Sequence, residues 1–250
     1  NGDTKKGTAN KSFIISNAEK IDILSTINSV YGYFSIQGGF KLKEVKGSVS
    51  TLVRAKIGPN DGGKLKLEDK IFVKKSNLPD NTKKIQLDLN IDNSIRVMKG
   101  LQFHYFSKKS QEDFFSKEYE VTRLTDRMGM RLRGEKLENI VNKNIKSEGI
   151  TKGSIQIPGD GQPIVLLSDH PTIGGYPKIA NVISADYDKL VQKTPGAKIK
   201  FKLVDLTVAE SALQDILENH RDAIFDIDAV LSLLDEPGPY HTVFLQECEL

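Results

Sequence analysis

The stretch from Gly153 to Asp186 reads GSIQIPGDGQPIVLLSDHPTIGGYPKIANVISAD. Four prolines and six glycines fall between Gly149 and Lys178. That density is too high for long regular strands, and the runs between them are too apolar for a disordered linker. Short strands joined by tightly specified turns satisfy both conditions, and glycine in such turns lets backbone amides face a ligand. The expected strands are Ser154 to Ile157, Pro163 to Ser168 and Lys178 to Ser184.

The pattern continues on both sides. Downstream, Asp186 to Gln192 reads as a short helix, Pro195-Gly196 as a turn, and Ala197 to Val204 as a strand with alternating Ile199, Phe201 and Leu203. Upstream, Ser94 to Met98 and Tyr119 to Leu124 are strand candidates, and Gln111 to Lys117 is a helix anchored by Phe114 and Phe115. The first third offers Phe13 to Ile15, Tyr31 to Ile36, Val49 to Val53, Leu65, Leu67 and Ile71 to Val73 as short β-like runs. Gly38-Gly39 and Gly58 to Gly63 punctuate them. From Thr207 to Leu234 the spacing turns helical, with Thr207 and Glu210 at capping-box distance. Pro237-Gly238-Pro239 ends that segment, and Tyr240 to Gln246 is a possible last strand. Lys74 to Lys84 has linker composition. The expected division is a β-domain over 1–84, a second over 85–206 and a helical tail over 207–250, with mostly antiparallel strands.

Composition narrows the function classes. Hydrophobic residues make up 38% of 250 and charged residues 28%, ordinary for a globular protein. The net charge is +3, from 36 basic and 33 acidic residues spread along the chain, so nucleic acid and anionic membrane are not expected partners. No apolar run approaches the ~18 residues that span a bilayer. Cys248 is the one cysteine, which fits a reducing, cytoplasmic setting. Asn1 to Asn10 are polar and unlike a signal peptide, and the missing initiator Met suggests a cut or processed start, or further residues before Asn1.

Three apparent motifs fail on chemistry. Gly58 to Lys64 has P-loop spacing, but Leu65 stands where Ser or Thr would hold magnesium, and a strand pattern follows where a helix N-terminus is needed. Asp88, Asn90 and Asp92 open like a calcium loop, but Asn93 and Lys99 replace its glycine and its final glutamate. His104, His170, His220 and His241 lack ligand spacing, so no metal site is expected. His104, between Phe103 and Tyr105, reads as a strand or packing residue.

The segment quoted above resembles the signature of the 5-oxoprolinase C-subunit family. That family is also described as allophanate hydrolase subunit 2, as an antagonist of a sporulation-kinase inhibitor, and as the biotin-dependent carboxyltransferase part of urea carboxylase and related urea amidolyases. Ser147-Glu148-Gly149, Thr125 to Leu132 and Pro195-Gly196 also match, and the resemblance runs from about Tyr31 to about Leu213. His170 stands where the family pattern has Arg.

The resemblance implies a mainly β fold of cyclophilin-like barrels, the first incomplete in this chain, with a C-terminal helical segment. It implies an enzyme, a hydrolase subunit that acts on a small amide or lactam with a subunit-B-like partner. The leading expectation is ATP-dependent opening of 5-oxoproline, with ATP used by the assembly. Carboxyl transfer from carboxybiotin to a urea-like amide is the alternative, and a non-enzymatic regulatory binding module is a third. Both reactions develop negative charge on a carbonyl oxygen. The catalytic candidates are Asp126, Arg127, Asp169 and Lys178; the substrate-binding candidates are Gln162, Gly174, Gly175 and Tyr176. Gln162 and Lys178 can donate to a carbonyl or carboxylate. Asp126-Arg127 can orient substrate or hold a turn as a local ion pair, and Asp169 can be a general base or a turn cap. Tyr176 can donate or pack, while Gly174-Gly175 first serve backbone geometry.

Overall fold

The computed structural model describes residues 11–15, 20–22, 25–26, 29–76, 92–141, 144–224 and 243–245. Most of the expected linker, Asp88 and Asn90, His241 and Cys248, and the expected helix beyond Ile224 lie outside them. The chain divides into two compact units: Asn1–Thr26 with Tyr31–Asp88 and Arg221–Leu250, and Ile27–Val30 with Leu89–His220.

Eleven strands occur among the described residues. They are β1 (Gly32–Phe34), β2 (Ser94–Lys99), β3 (Glu118–Val121), β4 (Gly129–Arg133), β5 (Glu148–Gly149), β6 (Ser154–Gln156), β7 (Ile164–Leu166), β8 (Ile173–Gly174), β9 (Lys178–Val182), β10 (Lys198–Leu203) and β11 (Val243–Leu245). The helices are α1 (Lys108–Ser116), α2 (Ser184–Val191) and α3 (Leu206–Ile224). Seven strands close a barrel in the order β10-β2-β9-β6-β7-β4-β3. All its pairings are antiparallel except β10 with β2. The mainly β expectation holds.

Alternation explains the barrel. Ile95 and Val97 of β2, Tyr119 and Val121 of β3, Met130 and Leu132 of β4, and Ile199 and Phe201 of β10 all point into one core. Full burial of each such side chain contributes roughly 1.5–3 kcal/mol. Leu203, expected to continue the inward series, is exposed at the strand end. The ladder between β6 and β9 slips once. Ile155 stands opposite Ala180 and Gln156 opposite Lys178, so Ile179 is an extra residue in a bulge. Ile179 and Ala180 both enter the core as a result. Lys178 turns outward beside Gln156.

The helices attach to this wall. Ser107 caps α1, its Oγ accepting from Ser110 N at 3.2 Å. The helix drives Phe114 into the core, stacked on Phe201 with centroids 4.7 Å apart. α2 carries Asp186, which accepts from Arg96 Nη2 at 2.6 Å and from Arg96 N at 2.6 Å. The cap of α3 is Asp205, whose Oδ1 accepts from Val208 N at 2.9 Å. Thr207, the expected cap, already lies inside the helix, which starts at Leu206. No described helix is long and apolar enough to cross a membrane.

In the other unit, β1 pairs antiparallel with β11. Val49 to Val53 and Leu65 to Val73 are not ladders: single bridges join Leu52 to Ile57 and Phe40 to Val73. Gly58 to Lys64 forms a turn, with Gly62 N donating to Gly58 O at 3.2 Å. An added Cβ on Gly62 would fall 2.1 Å from the Lys56 carbonyl carbon, so glycine is required there for close approach.

Candidate functional site

The segment Thr125 to Gly129 forms a side-chain-closed turn. Asp126 Oδ1 accepts from Met128 N at 2.8 Å and from Gly129 N at 3.1 Å. Arg127 makes a fork with Asp169, Nε to Oδ2 at 2.7 Å and Nη2 to Oδ1 at 3.0 Å. Asp169 N also donates to Arg127 O at 2.8 Å. The ion pair thus bridges two loops instead of closing one turn. Gln162 is engaged elsewhere: Oε1 accepts from Gly134 N at 2.8 Å and Nε2 donates to Gly134 O at 3.2 Å.

Lys178 lies at the β6–β9 bulge. Outward-facing lysine is ordinarily solvated, but its side chain is only 4% exposed. The cover is the short β5–β8 pair, in which Glu148 stands opposite Gly174. Ile145 N donates to Gly175 O and Ile150 N to Thr172 O, which extends this strap. Glu148 Oε1 forms an ion pair with Lys178 Nζ. Gln102 completes the cluster: its Nε2 donates to Glu148 Oε1 at 2.9 Å, and its Oε1 accepts from Lys178 N at 3.1 Å. The Lys178 ammonium first, and then the Gln102 amide, hold the Glu148 carboxyl below the usual carboxylate range.

One buried nitrogen here is poorly partnered. The Lys178 ammonium is held by its ion pair with Glu148, whereas Gln156 Nε2 lacks a hydrogen-bond acceptor among the described residues. Gly174 lies over Gln156: an added Cβ would stand 2.6 Å from Nε2 and 3.0 Å from Ile150 Cδ1. Gly100 fits as closely on the other side, where a Cβ would come 2.3 Å from Lys178 O. Gly175 borders the same strap, and Tyr176 is exposed beside it.

The ladder therefore sorts the sequence-derived candidates into two places. Lys178, Gly174, Gly175 and Tyr176 gather where Gln156 pairs with Ile164. Gln162 holds Gly134 near that end. Asp126, Arg127 and Asp169 lie past Leu166, on the order of 15 Å along the strand direction at ~3.3 Å per residue. Glu148, Gln102 and Gln156 are not among the sequence-derived candidates. The available signal is a polar residue, Gln156, inside the apolar run IQI. Two grooves among the described residues include none of these side chains. One, of about 430 Å³, runs between Glu120, Arg123, Arg133 and Pro195; the other, of about 160 Å³, lies by Lys152, Tyr187 and Asp188. No metal-type cluster of His, Cys, Asp and Glu occurs among the described residues.

Comparison with known proteins shows the family. The family model described as "Carboxyltransferase domain, subdomain A and B" matches residues 2–203. The chain is 35% identical over 207 residues to the 5-oxoprolinase C-subunit of Haemophilus influenzae, covering 83% of this chain and 64% of the relative. It is 36% identical over 183 residues to the Escherichia coli protein of that name, covering 73% and 59%. The chain thus spans just under two thirds of the length of these relatives. Among solved structures, the urea amidolyase of K. lactis superposes with a TM-score of 0.64 at 29% identity, over 73% of this chain and 13% of that one. A barrel carrying this signature, matched by the family model over most of its length, places the chain in the carboxyltransferase subdomain A and B family, with 5-oxoprolinase C-subunits and the urea amidolyases among its relatives.

Proposed function

We propose that this chain is the C-subunit-type component of an assembly that opens a small lactam, 5-oxoproline, at the expense of ATP, together with a subunit-B-like partner. The observation that carries the reading is the buried Lys178 ammonium, set in the wall of the barrel with Glu148, Gln102 and Gln156 around it. A desolvated cation acts on the oxygens of a bound substrate far more strongly than one in water. The relatives named as 5-oxoprolinase C-subunits support the substrate class. In this reading ATP belongs to the assembly. Asp126, Arg127 and Asp169 shape the loops at the far end of the strands, and Gly174, Gly175 and Tyr176 lie in and beside the strap that covers Lys178.

Carboxyl transfer from carboxybiotin to a urea-like amide is the second reading, favoured by the likeness to the K. lactis urea amidolyase. The test is 5-oxoproline-dependent ATP hydrolysis by the reconstituted assembly, run beside a biotin-dependent carboxyl-transfer assay. Lys178→Ala is expected to lower kcat/KM for 5-oxoproline by about 10²–10³, as loss of one well-placed charge donor does. Activity in the carboxyl-transfer assay alone rejects the first reading. Partner binding without turnover in either assay assigns the chain a regulatory role.

A further inference from the structure

Lys178 and Gln156 stand opposite each other across the β6–β9 ladder. They are 3% and 6% exposed; Gln156 Nε2 lacks a hydrogen-bond acceptor among the described residues, and the Lys178 ammonium is held by its ion pair with Glu148. Native proteins rarely leave such a donor unmet, and a buried cation needs a counter-charge. In this structure the counter-charge comes from Glu148, and it comes from outside the barrel. The Glu148 side chain is 37% exposed, on a strap whose ladder is two residues long. Withdrawal into water rehydrates Glu148 itself, and the cost that remains is the uncompensated Lys178 ammonium. Lys178 cannot follow, because its backbone belongs to a barrel strand.

Once Glu148 withdraws, the wall presents an ammonium and a carboxamide side by side. Gln102 Nε2, released from Glu148, adds a third donor. Only a group with a full negative charge in its ground state replaces what Glu148 supplied. A neutral carbonyl leaves the buried cation uncompensated. A carboxylate has the charge and two oxygens to divide among these donors.

We propose that Lys178 and Gln156 are the receptor for a small carboxylate, the carboxylate of the substrate, and that Glu148 is its internal competitor, holding the place in the unliganded chain. This rests on the lactam reading above and sharpens it. 5-Oxoproline carries a carboxylate, whereas urea carries none.

The experiment is titration of acetate, 5-oxoproline and the neutral lactam 2-pyrrolidinone into the chain, followed by NMR, for the wild type, Glu148→Gln, Lys178→Met and Gln156→Leu. Far-UV circular dichroism verifies folding of each variant. Glu148→Gln is expected to bind both carboxylates more tightly, up to about tenfold if the pair is closed ~90% of the time, because removing a competing closed state raises the competent fraction. 2-Pyrrolidinone, which has no charge to replace that of Glu148, does not take up the Lys178 site, so its affinity does not follow the opened fraction. Lys178→Met loses carboxylate binding; should it fail to fold, Gln156→Leu, which keeps all charges, still weakens it. Unchanged or weaker carboxylate binding by Glu148→Gln overturns the proposal, as does an equal gain for 2-pyrrolidinone. An assembly idle on 5-oxoproline, beside a Glu148→Gln chain with tighter acetate binding, removes the lactam function and leaves the receptor. Lactam turnover with no gain in carboxylate affinity does the reverse.

Discussion

Gln156 on β6 faces Lys178 on β9 because one extra residue, Ile179, is inserted between Lys178 and Ala180 in the ladder. The bulge lets two consecutive β9 residues enter the core and turns the lysine outward, under the β5–β8 strap. A regular ladder would invert the facing of everything before Ala180, because side chains alternate with period two.

Gly100→Ala and Gly174→Ala separate the wall from the strap. At Gly100 the new Cβ meets backbone, Lys178 O at 2.3 Å, which belongs to a barrel strand. Urea unfolding is expected to show a loss of about 1–3 kcal/mol, the usual range for overpacking. At Gly174 the Cβ meets side-chain atoms of Gln156 and Ile150, and the strap can move. The loss there is expected to stay below about 1 kcal/mol, while hydrogen exchange at the Ile150 amide quickens. Equal destabilisation by both changes would show that the strap is as rigid as the barrel.

Gln162→Ala tests what the Gln162 amide does. It removes the donor and the acceptor that meet Gly134. Leaving part-buried backbone groups unsatisfied costs about 1–3 kcal/mol. The expected result is a lower urea midpoint with carboxylate affinity at Lys178 unchanged. A large loss of affinity in a stable variant would move Gln162 into the binding site.

The Arg96–Asp186 fork predicts a pH dependence. Burial pushes the Asp186 carboxyl up, but the Arg96 side chain and backbone bonds, with Lys189 nearby, hold it below the usual range. A carboxylate depressed in the folded state stabilises the fold above its unfolded pKa and ceases to as pH falls through the folded pKa. Asp186→Asn is expected to cost about 2 kcal/mol at neutral pH, less than the roughly 3–5 kcal/mol of a wholly buried pair because Arg96 is a third exposed. The gap between variant and wild type should begin to narrow as pH falls through the ordinary carboxyl value of about 3.9, and close only below the depressed folded value, where the wild-type carboxyl takes up its proton. A gap independent of pH, followed by thermal melts, would show that shape and not charge matters there.

Asp169→Asn addresses the pair at the other end of the strands. The fork with Arg127 is only part-buried, so the change is expected to cost about 1 kcal/mol or less. Acetate affinity at Lys178 should not move, since the two groups lie at opposite ends of the ladder. A parallel loss of acetate affinity would show that both ends belong to one site.

Much of this protein is legible in its sequence because the governing effects are local. Alternation in Ile199 and Phe201, the turn at Pro195-Gly196 and the apolar anchor Phe114 each act within a few residues, and each element lies within three residues of where its pattern puts it. The signature from Gly153 to Asp186 carries the family in the same way. Even the α3 cap lies only two positions from its expected place, since Asp205 and Thr207 both offer an oxygen to the first turn and local spacing does not choose between them.

Tertiary structure decided the rest. Asp126 and Arg127 are neighbours in sequence, yet Arg127 pairs with Asp169, because strand pairing brings 127 and 169 together. Gln162 looks like a free donor in sequence but meets both backbone groups of Gly134. Lys178 is the sharpest case. The sequence by itself determined that a lysine opens the last strand of the signature. That it is buried, faces Gln156 and is matched by a glutamate 30 positions upstream followed from a one-residue bulge and a two-residue strap. Burial and counter-charge are properties of what surrounds a side chain, and no spacing along the chain encodes them.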